Sequence, residues 1–468
     1  MLIWLVLIPL IATALIGLCK APARPTALLS AALTLALGIW ALVSFDGCSS
    51  CWSRFEGMDL QLTLAPALAK VMLLLTILVT FATVLGTNPP KGGEASWYNS
   101  ALLISAGATG AFLSDNIISF FAFHELALIP TFVMIGLYGR PMLYADPFLT
   151  VYCCLLAALL MIGTQAGFTF SGLKDFMAGG RELAHAELIG ALLIAGFGTL
   201  ISLFPFHSWA APAYASAPAP VAMMHAGVLK KFGLYGLFMF QPLMETGFLP
   251  WTNILLVLLV CNVIWVGYVT VNQKRLDLLL GNSSVMHMGY IFLAFAALVA
   301  SGSAEANPWA LKGAALLMLA HGLTIALLFL LCGQIEKQTG TLEINSLGGL
   351  STRLPRMAFV FGLAGMASIG LPGLANFPGE FMVFFSGFAG FNDSFGPVQI
   401  ATILCLWGLV IGAVYMLRAY RNIFQGDLSK AAAYATELLP SERAANYFLT
   451  ITLAVFGFFP TLVLQFFS

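Results

Sequence analysis

Hydrophobic residues gather into long runs that recur from one end of the chain to the other, separated by short polar stretches. A helix needs about 20 predominantly apolar residues to cross the hydrocarbon core of a bilayer. We therefore expect an all-α polytopic membrane protein that forms a single membrane domain over 1–468. The pattern predicts about fourteen membrane helices, at 2–19, 27–45, 64–87, 97–114, 116–138, 146–170, 188–204, 217–240, 251–271, 283–301, 308–334, 357–390, 399–421 and 445–467.

The run 357–390 is too long for one straight span, and it contains Gly370-Leu-Pro-Gly373 and Pro378-Gly379. Proline removes a helical hydrogen bond and glycine weakens a helix, so we predict one broken helix here. Irregular backbone inside a membrane is tolerated only where protein covers it or where it lines a cavity. Glu380, which follows the break, is therefore a candidate functional residue.

Composition agrees with a membrane protein: 60% of the residues are hydrophobic and 9% are charged, against about 25% charged in ordinary soluble domains. We find no phosphate-binding loop, dinucleotide fingerprint or metal-ligand cluster in the sequence. The longest loops are too short for a catalytic domain. We therefore expect no cofactor in this chain, and any energy must come from an ion gradient or a partner. The sequence leaves open whether Cys48 and Cys51 form a disulfide.

Lysine and arginine are concentrated in alternate loops, and the other loops hold only Arg54, Lys174 and Arg181. Positively charged loops face the cytoplasm. Both termini are then outside, as an even number of spans requires. The cytoplasmic set is Lys20, Arg24, Lys91, Arg140, Lys274, Arg275, Lys337, Arg353, Arg356, Arg418, Arg421, Lys430 and Arg443.

Ionisable residues also lie inside the predicted spans, where a charge at the centre costs about 2.5–3.5 kcal/mol on insertion scales. Such residues mark ion or proton pathways more often than not. Carboxylates, imidazoles and amines alternate without a dense ring of acceptors, which favours a proton relay over a metal-ion site. The set is Lys70, His124, Glu125, His225, Lys230, Lys231, His287, Lys312, His321 and Glu380.

Several members of this set have ordinary structural explanations. We expect Asp115, just before the fifth span, to be a helix N-cap. We expect Lys70 to extend its amine to the membrane surface, and His124 and His225 to be packing residues. Glu125 is different, because it lies deep in its span and is followed by Pro130.

Lys230 and Lys231 are adjacent in the run 217–240. Successive helical residues point about 100° apart, so the two amines cannot have the same neighbours. A buried amine favours its neutral form, and a nearby carboxylate restores the charge. Moving that carboxylate therefore lets a lysine release its proton, which is the chemistry a relay needs.

These residues occur in stretches that resemble the antiporter-like subunits of respiratory complex I. The stretch Asn376-Phe-x-Gly-Glu-Phe381 resembles the M-type subunit rather than the L or N types. The matching stretches are Phe123-His-Glu-Leu-Ala-Leu-Ile-Pro130, Pro205-Phe-His-Ser-Trp209, Ala217-Pro218, Ala226-Gly-Val-Leu-x-Lys-x-Gly-x-Tyr-Gly236, Ser283-Ser-Val-x-His-Met-Gly289, His321-Gly322, Leu328-Phe-Leu-Leu-Cys-Gly333, Gly348-Gly349 and Asn376-Phe-x-Gly-Glu-Phe381.

The resemblance implies fourteen helices with two inverted five-helix repeats, near 97–240 and 251–421, flanked by 1–87 and 445–468. It implies proton pumping driven by quinone reduction in partner subunits. By motif, Glu125 is the carboxylate that modulates a lysine, and Glu380 is the exit-side acid. Lys231 and His321 are stations on a central hydrophilic axis, and His287 is a further station.

The resemblance also implies the setting of the chain. Neighbours would be the L-type and N-type membrane subunits and the lipid bilayer, in a bacterial cytoplasmic (inner) membrane with both termini periplasmic. NADH, flavin, iron–sulfur clusters and quinone would belong to partner subunits. No nucleic-acid partner is expected.

The chain departs from the family at three places. Phe197-Gly-Thr-Leu200 has Leu200 where the family has a lysine, and the stretch 210–218 lacks the usual Asp, His and Glu. A loop that reads Asp-Leu-Lys in the family is Arg275-Leu-Asp277 here. Conversely, Lys230 and Lys312 replace neutral residues, so either could substitute for the missing lysine.

Three functions remain open at this point. The first is an M-type proton-translocating subunit of a bacterial NADH:quinone oxidoreductase. The second is a subunit of a related membrane-bound hydrogenase or of a multisubunit sodium/proton antiporter. The third is a scaffold subunit whose proton path Leu200 interrupts.

Overall fold

A computed structural model describes residues 1–44, 49–55, 58–140, 148–390 and 395–467. Most of them are helical, and the described residues also include an antiparallel hairpin of β1 (Ser49–Phe55) and β2 (Met58–Thr63). Cys48 and the Cys51 side chain lie outside the described part. The helices of the first half are α1 (Leu2–Gly17), α2 (Ala23–Ser44), α3 (Ala67–Gly86), α4 (Glu94–Leu113), α5 (Ile117–Tyr138), α6 (Phe148–Ala166), α7 (Phe170–Ala178), α8 (Ala186–Ile201) and α9 (Ala210–Ser216).

The second half continues the same architecture without a sheet in its described residues. Its helices are α10 (Ala219–Met224), α11 (Lys231–Met239), α12 (Thr252–Val271), α13 (Leu276–Ser301), α14 (Pro308–Thr339), α15 (Pro355–Ile369), α16 (Asn376–Ser386), α17 (Pro397–Phe424), α18 (Pro440–Phe458) and α19 (Thr461–Leu464).

Each predicted apolar run coincides with one of these helices or with a helix pair. Seven described helical stretches are long and apolar enough to cross a membrane, and the bent pair α18–α19 makes an eighth. The other runs are shorter or broken helices. The all-α polytopic class is confirmed, while the number of fourteen spans stays a prediction.

Helices α13 and α14 form the centre of the molecule. The apolar window of α13 is 94% buried and that of α14 is 100% buried. A helix that is hydrophobic all round is stable only where other elements cover every face, and α14 contacts α3, α13, α15, α16 and α18. These two helices bring His287 and His321 into the interior.

Two helices are interrupted inside the bundle. The run 357–390 is split into α15 and α16, as predicted, after Gly370, which has φ +80°. A second interruption separates α8 from α9. The Asn262 side chain of α12 pairs with the backbone that follows α8. It accepts a hydrogen bond from Phe204 N (2.5 Å) and donates one to the Ser202 carbonyl (3.1 Å).

The N-cap of α5 is Asn116 and not Asp115, so that prediction was wrong. The Asn116 side chain accepts hydrogen bonds from Ile118 N (2.8 Å) and Ser119 N (3.1 Å). Asp115 lies one position earlier and accepts instead from the Ser171 hydroxyl of α7 at 2.5 Å. A cap must reach the amides two and three residues on, which only the residue directly before the helix does.

Candidate functional site

The adjacent lysines follow a π turn (His225–Leu229) that joins α10 to α11. Such turns are rare and frequently occur at functional sites. Both lysines are completely buried. Lys231 Nζ donates to the Ala226 carbonyl at 2.6 Å, whereas Lys230 Nζ lies 5.5 Å from the ring centroid of Tyr214. Lys230 Nζ has no hydrogen-bond partner among the described residues.

Tyr214 of α9 connects Lys230 to a small aromatic cluster. Its hydroxyl lies 3.3 Å from His225 Nδ1, and its ring packs 6.4 Å from the ring of Trp209. The Trp209 indole donates to the Thr199 carbonyl at 3.0 Å, directly beside Leu200. The Lys230 amine and the buried Leu200 side chain therefore border the same cluster.

Glu125 lies on α5, and its side chain is 23% exposed. One carboxylate oxygen is 3.0 Å from His124 Nδ1, and the other accepts a hydrogen bond from the Tyr152 hydroxyl. The His124 ring packs 5.1 Å from that of Phe232, the residue after Lys231. His124, which the sequence assigned to packing, thus lies between Glu125 and the lysines.

His287 and His321 stack at the centre, with ring centroids 5.2 Å apart and planes 19° from parallel. His321 Nε2 is 3.2 Å from the Ser284 hydroxyl. The two nitrogens of His287 lie 2.8 Å from the Ser283 carbonyl and 2.9 Å from the Ser368 carbonyl. Since carbonyls only accept, both contacts are hydrogen bonds when both nitrogens carry protons.

Glu380 lies on α16 and is almost completely buried. A Cβ at Gly370 would come within 2.0 Å of Glu380 Oε2, so the carboxylate occupies space that only a glycine leaves. Oε1 has no hydrogen-bond partner among the described residues. Beside it is a cavity of about 370 Å³, bounded mainly by phenylalanines of α16, in which Glu380 is the one charged lining residue.

Lys312 and Lys70 lie apart from these groups. Lys312 is half-buried in the second turn of α14, nine residues before His321 and so about 13 Å away along the helix. Lys70 is buried, with its ammonium 5.8 Å from the Phe466 ring. The prediction that Lys70 extends to the surface was wrong, because the C-terminal segment covers it.

A charge cluster, which sequence reasoning missed, lies on the predicted cytoplasmic side. Asp277, buried at the start of α13, accepts hydrogen bonds from Arg140 (2.8 Å) and Arg275 (2.6 Å). The bond to Asp277 raises the pKa of the Arg275 guanidinium. Arg140 also pairs with Glu336 and donates to the Ala215 carbonyl. The reversed Arg-Leu-Asp stretch was the available signal.

The structure therefore brings the sequence-predicted residues into two groups. Lys230 and Lys231 lie at the π turn with His225 and Tyr214, and Glu125 is linked to them through His124, whose ring packs on Phe232. His287 and His321 stack between α13 and α14, and Glu380 lies on α16, which packs against both of these helices. The two groups adjoin where the π turn packs on α14, since a Cβ at Gly227 would lie 3.1 Å from the Gly322 carbonyl oxygen, next to His321. No three His, Cys, Asp or Glu side chains come together as a metal site among the residues with described positions.

Comparison with known proteins agrees with this geometry. Residues 114–417 match the family described as "NADH:quinone oxidoreductase/Mrp antiporter, TM". The chain is 31% identical over 430 residues to NAD(P)H-quinone oxidoreductase chain 4 1 of Synechococcus elongatus, covering 88% of this chain and 77% of the relative.

Solved structures share the fold along the entire length. A chain of respiratory complex I from Thermus thermophilus with bound NADH has TM-score 0.87 and 25% identity, covering 100% of this chain and 97% of the other. A chain of the Mrp complex from Dietzia sp. has TM-score 0.82 and 18% identity, covering 99% and 95%, and shows the fold alone. The chain belongs to the NADH:quinone oxidoreductase/Mrp antiporter family and to its chain 4, or M-type, branch.

Proposed function

We propose that this chain is a proton-translocating M-type subunit of a bacterial NADH:quinone oxidoreductase. One observation carries the proposal: buried protonatable side chains occupy the interior between the partly exposed Glu125 and the buried Glu380. Burying ionisable groups is costly, and inside membranes they mark proton pathways. The family includes NADH:quinone oxidoreductases, whose redox chemistry is the energy source that such a path requires.

Each station has a role that its contacts support. Glu125 modulates the charge of the lysine group through His124, its partner at 3.0 Å. Lys231 is the central proton-carrying amine. His321 and His287 carry the proton across the stacked pair, 5.2 Å between centroids. Glu380 is the exit-side acid.

We place two inverted repeats at 97–240 and 251–421. Each holds one interrupted helix, α8–α9 in the first and α15–α16 in the second. Discontinuous helices at repeat interfaces are typical of ion sites in transporters. The interruptions lie beside the lysine group and beside Glu380, which supports one half-channel in each repeat.

Proton movement against a membrane potential needs an external source of energy. Each elementary charge moved against 100 mV costs about 2.3 kcal/mol. NADH oxidation through flavin and iron–sulfur clusters, followed by quinone reduction in partner subunits, supplies it. L-type and N-type subunits are the proposed membrane neighbours, in a bacterial inner membrane with both termini periplasmic.

Purification of the tagged chain from gently solubilised native membranes tests which machine contains it. We expect partner subunits carrying flavin and several iron–sulfur clusters, together with NADH-driven quinone reduction. Hydrogenase activity in the purified complex, or sodium/proton antiport without flavin, would identify the related machines and contradict the complex I assignment. Re-purification after a salt wash controls for loosely adsorbed flavoproteins.

The scaffold alternative rests on Leu200, which is buried at the end of α8. Against it, two amines are completely buried nearby, and Lys230 borders the same aromatic cluster as Leu200. A subunit without a transport role has no need for such residues, whose burial is costly. We therefore propose that Lys230 replaces the missing lysine, rather than Lys312.

A further inference from the structure

Tyr290 of α13 is a completely buried tyrosine that the proposed pathway has not yet used. It follows His287 by three residues, and the two rings lie 5.6 Å apart. Residues three apart in a helix are on the same face. The phenol oxygen has no hydrogen-bond partner among the described residues.

The other side of Tyr290 faces the helix that carries Glu380. Its ring packs 5.3 Å from that of Phe384, one turn after Glu380 on α16. The cavity beside Glu380 is lined by Phe384 and by Leu406 and Leu409 of α17. Tyr290 therefore lies between His287 and Glu380, which share no direct contact among the described hydrogen bonds.

Glycines provide the space for both oxygens. A Cβ at Gly408 of α17 would come within 2.3 Å of the Tyr290 hydroxyl, just as a Cβ at Gly370 would meet Glu380 Oε2. The hydroxyl and Glu380 Oε1 are both buried, and neither has a hydrogen-bond partner in the described part of the chain. Unpaired buried polar groups are costly and rare, and each calls for an explanation.

We propose that Tyr290 relays protons between His287 and Glu380, an inference that rests on the proposed function. Rotation of the Glu380 side chain away from Gly370 pairs Oε1 with the phenol. The phenol then gives its proton to the carboxylate, while its oxygen receives one from the His287 imidazolium after one N–H of that ring leaves its carbonyl partner. One proton enters and one leaves, and no electrons move.

Tyr415 of α17 is the obvious competitor. Its hydroxyl lies 2.7 Å from the Ser283 hydroxyl, so it already has a partner. Tyr290, by contrast, has ring contacts with His287 and with Phe384, the residue one turn after Glu380. The relay is therefore assigned to Tyr290.

Tyr290→Phe in the assembled complex tests the proposal, because it removes only the hydroxyl. Proton uptake per electron would be measured in vesicles, with electron transfer measured after an uncoupler is added. We expect the ratio to fall as far as in Glu380→Gln, with uncoupled electron transfer unchanged. Tyr415→Phe and Tyr235→Phe are matched controls and should keep the ratio; the Tyr235 hydroxyl donates to the Phe112 carbonyl in the first repeat.

Gly408→Ala is a second test, since the added methyl displaces the Tyr290 hydroxyl without removing any protonatable group. It should lower the ratio as Tyr290→Phe does. A normal ratio in Tyr290→Phe, together with a low one in Glu380→Gln, overturns the relay and leaves the proposed function intact. A normal ratio in Glu380→Gln itself means that the proposed function fails. A loss in Tyr415→Phe alone transfers the role to Tyr415.

Discussion

At the scale of single residues, the most informative side chain is Lys230, which has no equivalent in the family pattern. The last turn of α8 packs tightly on α11, where a Cβ at Gly233 would lie 2.4 Å from Ile201 Cγ1. The Lys230 amine, at the start of α11, can therefore take the place of a lysine at position 200 of α8. The Tyr214 ring under Lys230 favours the ammonium by about 2 kcal/mol, since the pair is desolvated.

Lys230→Met should lower the proton-to-electron ratio of the assembled complex, because it removes the amine beside Tyr214. Lys312→Met is the matched control and should leave the ratio unchanged, since Lys312 lies about 13 Å from His321 along α14. Leu200→Lys in the Lys230→Met background should restore part of the loss. A normal ratio in Lys230→Met, or an equal loss in Lys312→Met, contradicts the replacement.

Sequence reasoning selected Glu125, Lys231, His321 and Glu380 as candidates, since an ionisable residue inside an apolar run is visible without a structure. It assigned His124 and His225 to packing, because the sequence does not show their contacts. The His124 ring meets the side chain of the next residue, Glu125, and the His225 ring meets Tyr214 of another helix. Tyr290 was missed for a related reason. A tyrosine in an apolar helix gives no signal until its unpaired hydroxyl is seen.

At the scale of helices, the interruption between α15 and α16 positions Glu380. Gly370 has φ +80°, and no other residue type leaves room for the carboxylate. The sequence predicted this break because glycine and proline occur together in a run that was too long. It missed the separate helix α9, which lies between the runs 188–204 and 217–240, and it missed the π turn (His225–Leu229), because the apolar run continues through it. Pro205 and Pro212 were the available signals.

Gly370→Ala should lower the proton-to-electron ratio, because its Cβ keeps the Glu380 carboxylate out of its position beside Gly370 and so prevents the movement between two positions that the relay requires. Gly340→Ala is the control: it has φ +72° as well, but nothing lies within 4 Å of its added methyl. Both changes should cost about 1–2 kcal/mol of backbone strain, read as similar decreases in Tm. Equal proton-to-electron ratios in the two variants would contradict the role of Gly370 in placing the carboxylate.

At the scale of the whole molecule, the all-α class and the family could be predicted from hydropathy and motifs. The burial of α13 and α14 at the centre could not, since nearly every helix of this chain is apolar. The Arg140–Asp277–Arg275 cluster was also hidden. Arg140 lies 137 residues before Asp277, and only the fold brings the end of α5, α9 and the start of α13 to one point.

The proposed orientation makes Cys19 a cytoplasmic residue. Cys19 is exposed just after α1, beside Lys20. In a variant that retains only this cysteine, a membrane-impermeant thiol reagent should label it in inside-out vesicles and not in intact cells. A variant with its one cysteine at Lys174→Cys, an exposed position on α7, should give the opposite pattern. Labelling of Cys19 in intact cells would reverse the orientation.

The central claim is that protons cross the membrane through this subunit. The double variant Lys231→Met/Glu380→Gln, assembled in the complete complex, tests it most directly, because it neutralises one buried station in each group. Protons translocated per electron would be measured in sealed vesicles during NADH oxidation. We predict a lower ratio than in the unaltered complex. An assembled double variant that pumps at the full ratio would show that the protons do not pass through this chain.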